Sequence, residues 1–138
     1  MSTSVVNGYR PSNDEEFMND FQRAFFRNKL LHWKEDIVKA SRDTLTHLHE
    51  DSHKFSDIAD RASQETDQAI ELRAQDRQRK LISKIDKALK RIDDGSYGYC
   101  TETDEPIGLR RLEARPVATL SIEAQERHER KEKIFRDS

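Results

Sequence analysis

Phe26, Leu30, Trp33, Ile37, Ala40 and Thr44 recur at intervals of 4, 3, 4, 3 and 4 residues, which is the a/d seam of a coiled coil. Phe17, Phe21 and Leu48 extend the stripe, and residues 16–51 contain neither Gly nor Pro. The pattern predicts one helix of about 36 residues, ~54 Å long at 1.5 Å per residue. Asn13 or Asp14 is placed to cap it, with Glu15 and Glu16 in the first turn, where carboxylates favour the positive end of the helix dipole. So narrow an apolar stripe does not hold a helix in water alone, so a partner is required.

The chain supplies that partner itself. Ile70, Ala74, Leu81, Ile85, Ala88 and Ile92 form a second seam, interrupted by Arg77, and Gly95 is placed to end the helix. Two arms of matched length predict an antiparallel coiled-coil hairpin over residues 16–94, with its tip ~50 Å from its base. The tip is expected at residues 55–62, where Asp57 and Asp60 stand three residues apart, followed by Arg61 and the small Ala62. Two Asp at a turn are ordinarily solvated turn formers, so local sequence alone assigns them no chemistry.

Composition agrees with a thin core: 33% of residues are hydrophobic, 38% are charged, and the mean hydropathy is −1.02. Residues 1–60 carry 8 Lys/Arg against 11 Asp/Glu, whereas residues 71–92 carry 8 against 3. The arms are therefore expected to attract each other across the hairpin. Residues 1–15, mixing Ser, Gly, Asn and Pro, are expected to be a flexible segment without a role.

After Gly95 the chain changes character. Glycines and prolines punctuate residues 95–120 around Tyr97, Tyr99 and six aliphatics, Ile107, Leu109, Leu112, Val117, Leu120 and Ile122. If fully buried, those six would contribute on the order of 9–18 kcal/mol gross. Chain entropy opposes this at ~1–2 kcal/mol per residue, so the unit is expected to fold only against the hairpin base and a C-terminal helix. That helix is predicted over residues 121–136, with Ser121 as its cap.

Several function classes lose support at this stage. No apolar run approaches the ~18 residues of a membrane span, and the polar N-terminus has no signal-peptide core, so a cytoplasmic address is expected. The basic second arm has no interleaved aromatics for stacking on bases, which favours a solvated face or a protein interface over nucleic acid. No phosphate-cradling glycine loop or nucleophile–base pair points to an enzyme. His49 and His53 are four residues apart with His47 nearby, but a solvated helix end explains them as well as a metal does. Trp33 is read as a core residue.

The turn-rich unit closely resembles the zinc-finger region of the DksA family of bacterial RNA polymerase regulators. The carrying residues are Tyr97-Gly-Tyr-Cys-Thr-Glu-Thr103, Glu105 to Pro116, and Leu120-Ser-Ile-Glu-Ala124. The resemblance extends over residues 17–130, including Asp57-x-x-Asp-Arg-Ala62 and Glu71-Leu-Arg-x-x-Asp-Arg-x-Arg-Lys-Leu-Ile82. In that family two Cys-x-x-Cys pairs hold zinc. Here the four places read Cys100, Thr103, Ser121 and Ala124, one thiol in four. The expected fold is mainly α: a long antiparallel coiled-coil hairpin, a small degenerate zinc-finger-like base and a C-terminal helix. No zinc or other tightly bound cofactor is expected, because Thr, Ser and Ala cannot replace thiolates. Cys100 is read as a remnant of the metal site, with a redox role or an intermolecular disulfide left open.

The resemblance further implies a hairpin inserted into the secondary channel of RNA polymerase, with Asp57, Asp60 and Ala62 as functional tip residues that modulate initiation complexes. It implies polymerase binding for Arg77, and an interface for the alarmone ppGpp at Leu81, Lys84 and Arg115. A third basic position falls on Gln125, which is uncharged. The expected protein is a monomer that binds polymerase and ppGpp but no specific DNA sequence. Two alternatives stay open: a Gre-like transcript cleavage factor, and a coiled-coil adaptor that never meets polymerase.

Overall fold

The computed structural model describes residues 8–51 and 58–137, with side chains except those of residues 48–60 and 137. Four helices follow in order: α1 (Asp20–Asp51), α2 (Ile58–Asp94), α3 (Leu109–Ala114) and α4 (Ile122–Asp137). Among the described residues there is no strand, only an isolated antiparallel bridge between Tyr99 and Pro106. The chain is thus mainly helical, as the heptads predict. It divides into two units, Met1–Leu30 with Asp86–Ser138, and Leu31–Ile85.

In the first unit, the start of α1 shows why the helix is shorter than the seam suggested. Met18 adopts φ 56, which a helix cannot continue through. Asn19 then accepts the Gln22 N–H at 2.8 Å, and the Gln22 side chain accepts the Met18 N–H at 2.7 Å. This reciprocal arrangement is a variant of the capping box, so Asn19, rather than Asn13 or Asp14, ends the helix on its N-terminal side. Gln22 also donates to the Ser12 carbonyl at 3.3 Å and is fully buried.

The segment before α1, expected to be without a role, makes contacts from Tyr9 onward. Tyr9 packs on Phe21 and Phe25 with ring centroids 5.9 and 6.3 Å apart, and its hydroxyl donates to Glu15 at 2.8 Å. Burial, and the Glu15 carboxylate that holds it, push the Tyr9 phenol up to about 12. Met18 is buried against Gly98, where an added Cβ would lie 2.9 Å from the Met18 Cγ. Phe17 meets Tyr99 edge-on at 5.5 Å.

The core of this unit joins Phe26 and Leu30 of α1 to Ala88 and Ile92 of α2, and to Tyr97, Cys100, Ile107, Leu109, Leu112 and Ala124. Phe26 and Tyr97 are 5.7 Å apart, and the Tyr97 hydroxyl donates to the Pro116 carbonyl at 2.7 Å. Gly95, at φ 87, closes α2 as predicted: the Ser96 N–H reaches back to the Arg91 carbonyl at 3.0 Å in a Schellman turn. Of the six aliphatics expected to fill the turn-rich region, Ile107, Leu109 and Leu112 are buried, Val117 and Leu120 half-buried, and Ile122 is 51% exposed. The hydrophobic contribution is therefore smaller than the sum over six, and the region shares its core with the helix ends. Arg27 of α1 pairs with Asp93 of α2, cation and anion the reverse of the charge balance of the arms.

In the second unit the seam turns polar. Ile37 and Ile85 are buried and Trp33 half-buried, but Ala40 is exposed while the neighbouring Ser41 faces inward. The Ser41 hydroxyl donates to Gln78 Oε1 at 2.5 Å, and Gln75 Nε2 donates to the Ser41 carbonyl at 3.3 Å. Ile70, assigned to the seam by spacing, is 55% exposed, whereas Gln75 is 8% exposed. Arg77 is likewise exposed, so it stands outside the seam and does not interrupt it. The reason lies in α1, whose inward positions Gln22, Phe26, Leu30, Trp33, Ile37, Ser41 and Thr44 repeat as 4, 4, 3 rather than 4, 3. An eleven-residue repeat follows the natural pitch of a helix more closely than a heptad and rotates the outer face from Ala40 to Ser41. No helix among the described residues is long and apolar enough to cross a membrane.

Candidate functional site

Residues 58–62, expected in a turn, form the beginning of α2. Ala62 is exposed on that helix, and Asp60 belongs to it with its side chain outside the described residues. Asp57 lies outside the described residues altogether, as does His53, and the His49 side chain is not described. Among the described residues no group of His, Cys, Asp and Glu is arranged to hold a metal.

Further along α2, Arg77, Leu81 and Lys84 follow one another at spacings of 4 and 3, which brings them to one side of the helix. Arg77 and Lys84 are exposed and Leu81 is half-buried. Arg115 belongs to the other unit, where it is exposed just after α3 and donates its N–H to the Arg111 carbonyl at 2.7 Å. Gln125 is half-buried on α4 and donates to Glu129 at 3.2 Å.

The four places equivalent to zinc ligands do meet. Cys100 is 1% exposed, Ser121 and Ala124 are buried, and Thr103 is half-buried. Gly98 at φ 92 and Asp104 at φ 59 bend the chain around them, and the Asp104 N–H closes onto the Cys100 carbonyl at 2.9 Å. Burial opposes ionisation of the Cys100 thiol, but hydrogen bonds from the Thr103 hydroxyl and from the Ser121, Glu102 and Thr103 amides outweigh it and draw the group down to about 6. Ser121 Oγ meanwhile accepts the Ala124 N–H at 3.2 Å and caps α4.

These residues do not fit a four-thiolate zinc centre. One sulfur is present, Ala124 offers no donor atom, the Ser121 oxygen is engaged in capping, and the sulfur is met by N–H and O–H groups. In the knuckle, hydrogen bonds engage both the Cys100 sulfur and the Ser121 oxygen.

Beside the knuckle, Glu102 bonds to His128 of α4. That bond, opposed by some burial and reinforced by the charges of His128, Arg127 and Lys131, holds the Glu102 carboxyl below its usual range. With Thr103 these residues line a cleft of about 210 Å³. Sequence reasoning missed this pair, since Glu102 and His128 are 26 residues apart and no local motif links them.

Two helices paired as a hairpin, continued by a finger-like knuckle and a terminal helix, define a class of coiled-coil hairpin proteins. Comparison with known proteins narrows the class. Residues 22–92 match the family described as "DnaK suppressor protein DksA, N-terminal domain", and residues 95–130 match "Prokaryotic dksA/traR C4-type zinc finger". The chain is 66% identical over 141 residues to the RNA polymerase-binding transcription factor DksA of Caulobacter vibrioides, covering 99% of each chain. It is 43% identical over 133 residues to the protein of the same name in Escherichia coli K12, covering 96% of this chain and 88% of that one. The solved structure of transcription factor DksA2 from Pseudomonas aeruginosa matches with a TM-score of 0.79 at 45% identity, covering 85% of this chain and 90% of that one. The chain belongs to the DksA family. Its departure from the C4 pattern is therefore a property of a family member.

Proposed function

We propose that the protein is a transcription regulator that binds RNA polymerase through the secondary channel and modulates the stability of initiation complexes together with ppGpp. The observation that carries this reading is whole-length likeness to proteins named as RNA polymerase-binding transcription factors, with the Asp57-x-x-Asp60-x-Ala62 sequence retained. Asp57, Asp60 and Ala62 act at the tip, Arg77 binds polymerase, and Leu81, Lys84 and Arg115 face the alarmone. Basic side chains are the physical partners a polyphosphate requires. Gln125 supplies no charge, which weakens that interface by about 1.5–3 kcal/mol relative to a charged hydrogen bond.

In this reading the role is regulatory rather than enzymatic, and the protein works as a cytoplasmic monomer without zinc or sequence-specific DNA contacts. The donor set at Cys100, Thr103, Ser121 and Ala124 supports the zinc-free state. The test is run-off transcription on an alarmone-sensitive promoter, with and without ppGpp. Asp57→Asn and Asp60→Asn variants should bind polymerase as the parent does yet lose regulation. Normal regulation by both variants would remove the tip assignment, and cleavage of backtracked transcripts by the parent would replace regulation with a cleavage role.

A further inference from the structure

Within residues 31–85, α2 turns Gln64, Gln68, Gln75 and Gln78 inward before its first inward isoleucines, Ile82 and Ile85. Across from them α1 offers only Ser41 and Thr44 beyond Ile37, and the Thr44 hydroxyl returns to the Ala40 carbonyl of its own helix at 2.9 Å. Gln64 Nε2 is buried and finds no hydrogen-bond partner among the described residues. Large aliphatic side chains are present here, but outside: Leu45 is 51% and Leu72 55% exposed. This part of the hairpin is therefore polar within and apolar at its flank.

The two leucines share one flank. Leu45 follows Ser41 by a turn, ~40° around α1, and Leu72 precedes Gln75 by a turn, ~60° around α2 in the same rotational sense. Helices that run antiparallel bring offsets of the same sense to the same side of their seam. Since Ser41 bonds to Gln75 and Gln78, one turn onward in α1 and one turn back in α2 reach a common level. Leu45 and Leu72 thus stand side by side at the edge of a glutamine-filled seam.

We propose that the two arms roll against each other between the seam observed and a second one in which Leu45 packs on Leu72, a two-state device confined to residues 38–78. A turn of ~40° by each helix, in opposite senses, is sufficient. It moves Gln64 and Gln78 to the flank, where water satisfies their amides, and keeps Gln68 and Gln75 at the seam. The observed state holds the Ser41–Gln78 bond and leaves two leucines half in water. The rolled state gives up that bond, buries the leucines and hydrates the Gln64 amide. Burial of an aliphatic side chain and a net hydrogen bond are terms of similar size, so neither seam excludes the other. Ala62 turns with α2 and is presented in a different direction in each state, so a partner that meets it in one direction selects that state. The inference stands on packing within the hairpin and does not depend on polymerase binding.

The experiment follows disulfide closure in the purified full chain under mild oxidant, with peptide mapping by mass spectrometry to identify the bridge and circular dichroism to verify helicity. A disulfide requires Cα atoms within about 7 Å of each other, which a seam position meets and a flank position does not. Leu45→Cys with Leu72→Cys should close at least about tenfold faster than Leu45→Cys with Ile70→Cys, because Ile70 lies ~140° around α2 from Gln75. Adding Gln78→Leu, whose side chain is inward only in the observed seam, should slow closure about tenfold. Gln64→Leu, at the other end of the glutamine run, should slow it likewise. Closure no faster than the Ile70 control would show that the leucines never meet and would overturn the device. Fast closure that neither glutamine substitution slows would also overturn it, since the leucines would then meet without a roll.

Discussion

Gly98 shows how a single residue governs the base. Its φ of 92 lies where L side chains are strained, and Met18 and Phe17 press on the space a Cβ would take. Gly98→Ala adds a backbone penalty of ~1–2 kcal/mol and an overpacking penalty of ~1–3 kcal/mol. The urea midpoint of the variant should fall by the equivalent of about 2–5 kcal/mol without a change in m-value. A parent-like midpoint would mean that Met18 moves aside freely. The glycine is conspicuous in the sequence, but its contact is not, because Met18 and Gly98 are brought together only by the tertiary fold. For the same reason the inward-facing Gln22 was illegible: local pattern marks a Gln as surface, and only Met18 at φ 56, Asn19 and the Ser12 carbonyl explain its burial.

Among the elements, helix ends marked by residue chemistry were legible and the inner surface was only partly so. Gly95 ends α2, and Ser121 caps α4, where the sequence placed them. The outer seam was misread because hydrophobic spacing cannot see Ser41, Gln75 and Gln78, which face inward and satisfy one another. A buried polar layer of this kind fixes register at a cost in stability. Replacing Gln75 with Leu removes one amide hydrogen bond, worth ~0.5–1.5 kcal/mol, and gains a buried aliphatic side chain. Gln75→Leu should therefore slow amide hydrogen exchange in residues 61–74 several-fold. Faster exchange would show that the layer stabilises more than an apolar contact does. The tip was legible as a composition, two Asp and an Ala, but not as a conformation, since residues 58–62 join the helix.

At the scale of the whole molecule, the decisive feature is a finger-like base that keeps the fold of a metal site with one thiol. A structural zinc ion supplies about 10–16 kcal/mol of apparent folding free energy, and in the zinc-free state proposed above packing takes its place. Phe17 and Met18 from before α1, Phe26 on α1 and Tyr97 and Tyr99 after α2 pack together in one unit and bring the helix ends into the same core. Treating the purified chain with a chelator should leave its circular dichroism and melting temperature unchanged. One equivalent of zinc retained per folded chain, and unfolding on its removal, would contradict this. The sequence made the missing thiols plain. What it did not contain was the aromatic packing of the base, because those contacts join residues as far apart as Phe17 and Tyr99.

Cys100 is the one cysteine in the chain, and in the folded base the residue is 1% exposed. A thiol reagent in solution can reach it only when the knuckle opens, and opening also breaks the hydrogen bonds that lower its pKa, so the exposed group reacts as an ordinary cysteine thiol. The wild-type chain thus contains its own clock. The rate at which Cys100 is trapped counts the openings of the base, in free protein or in complex, with no engineered label.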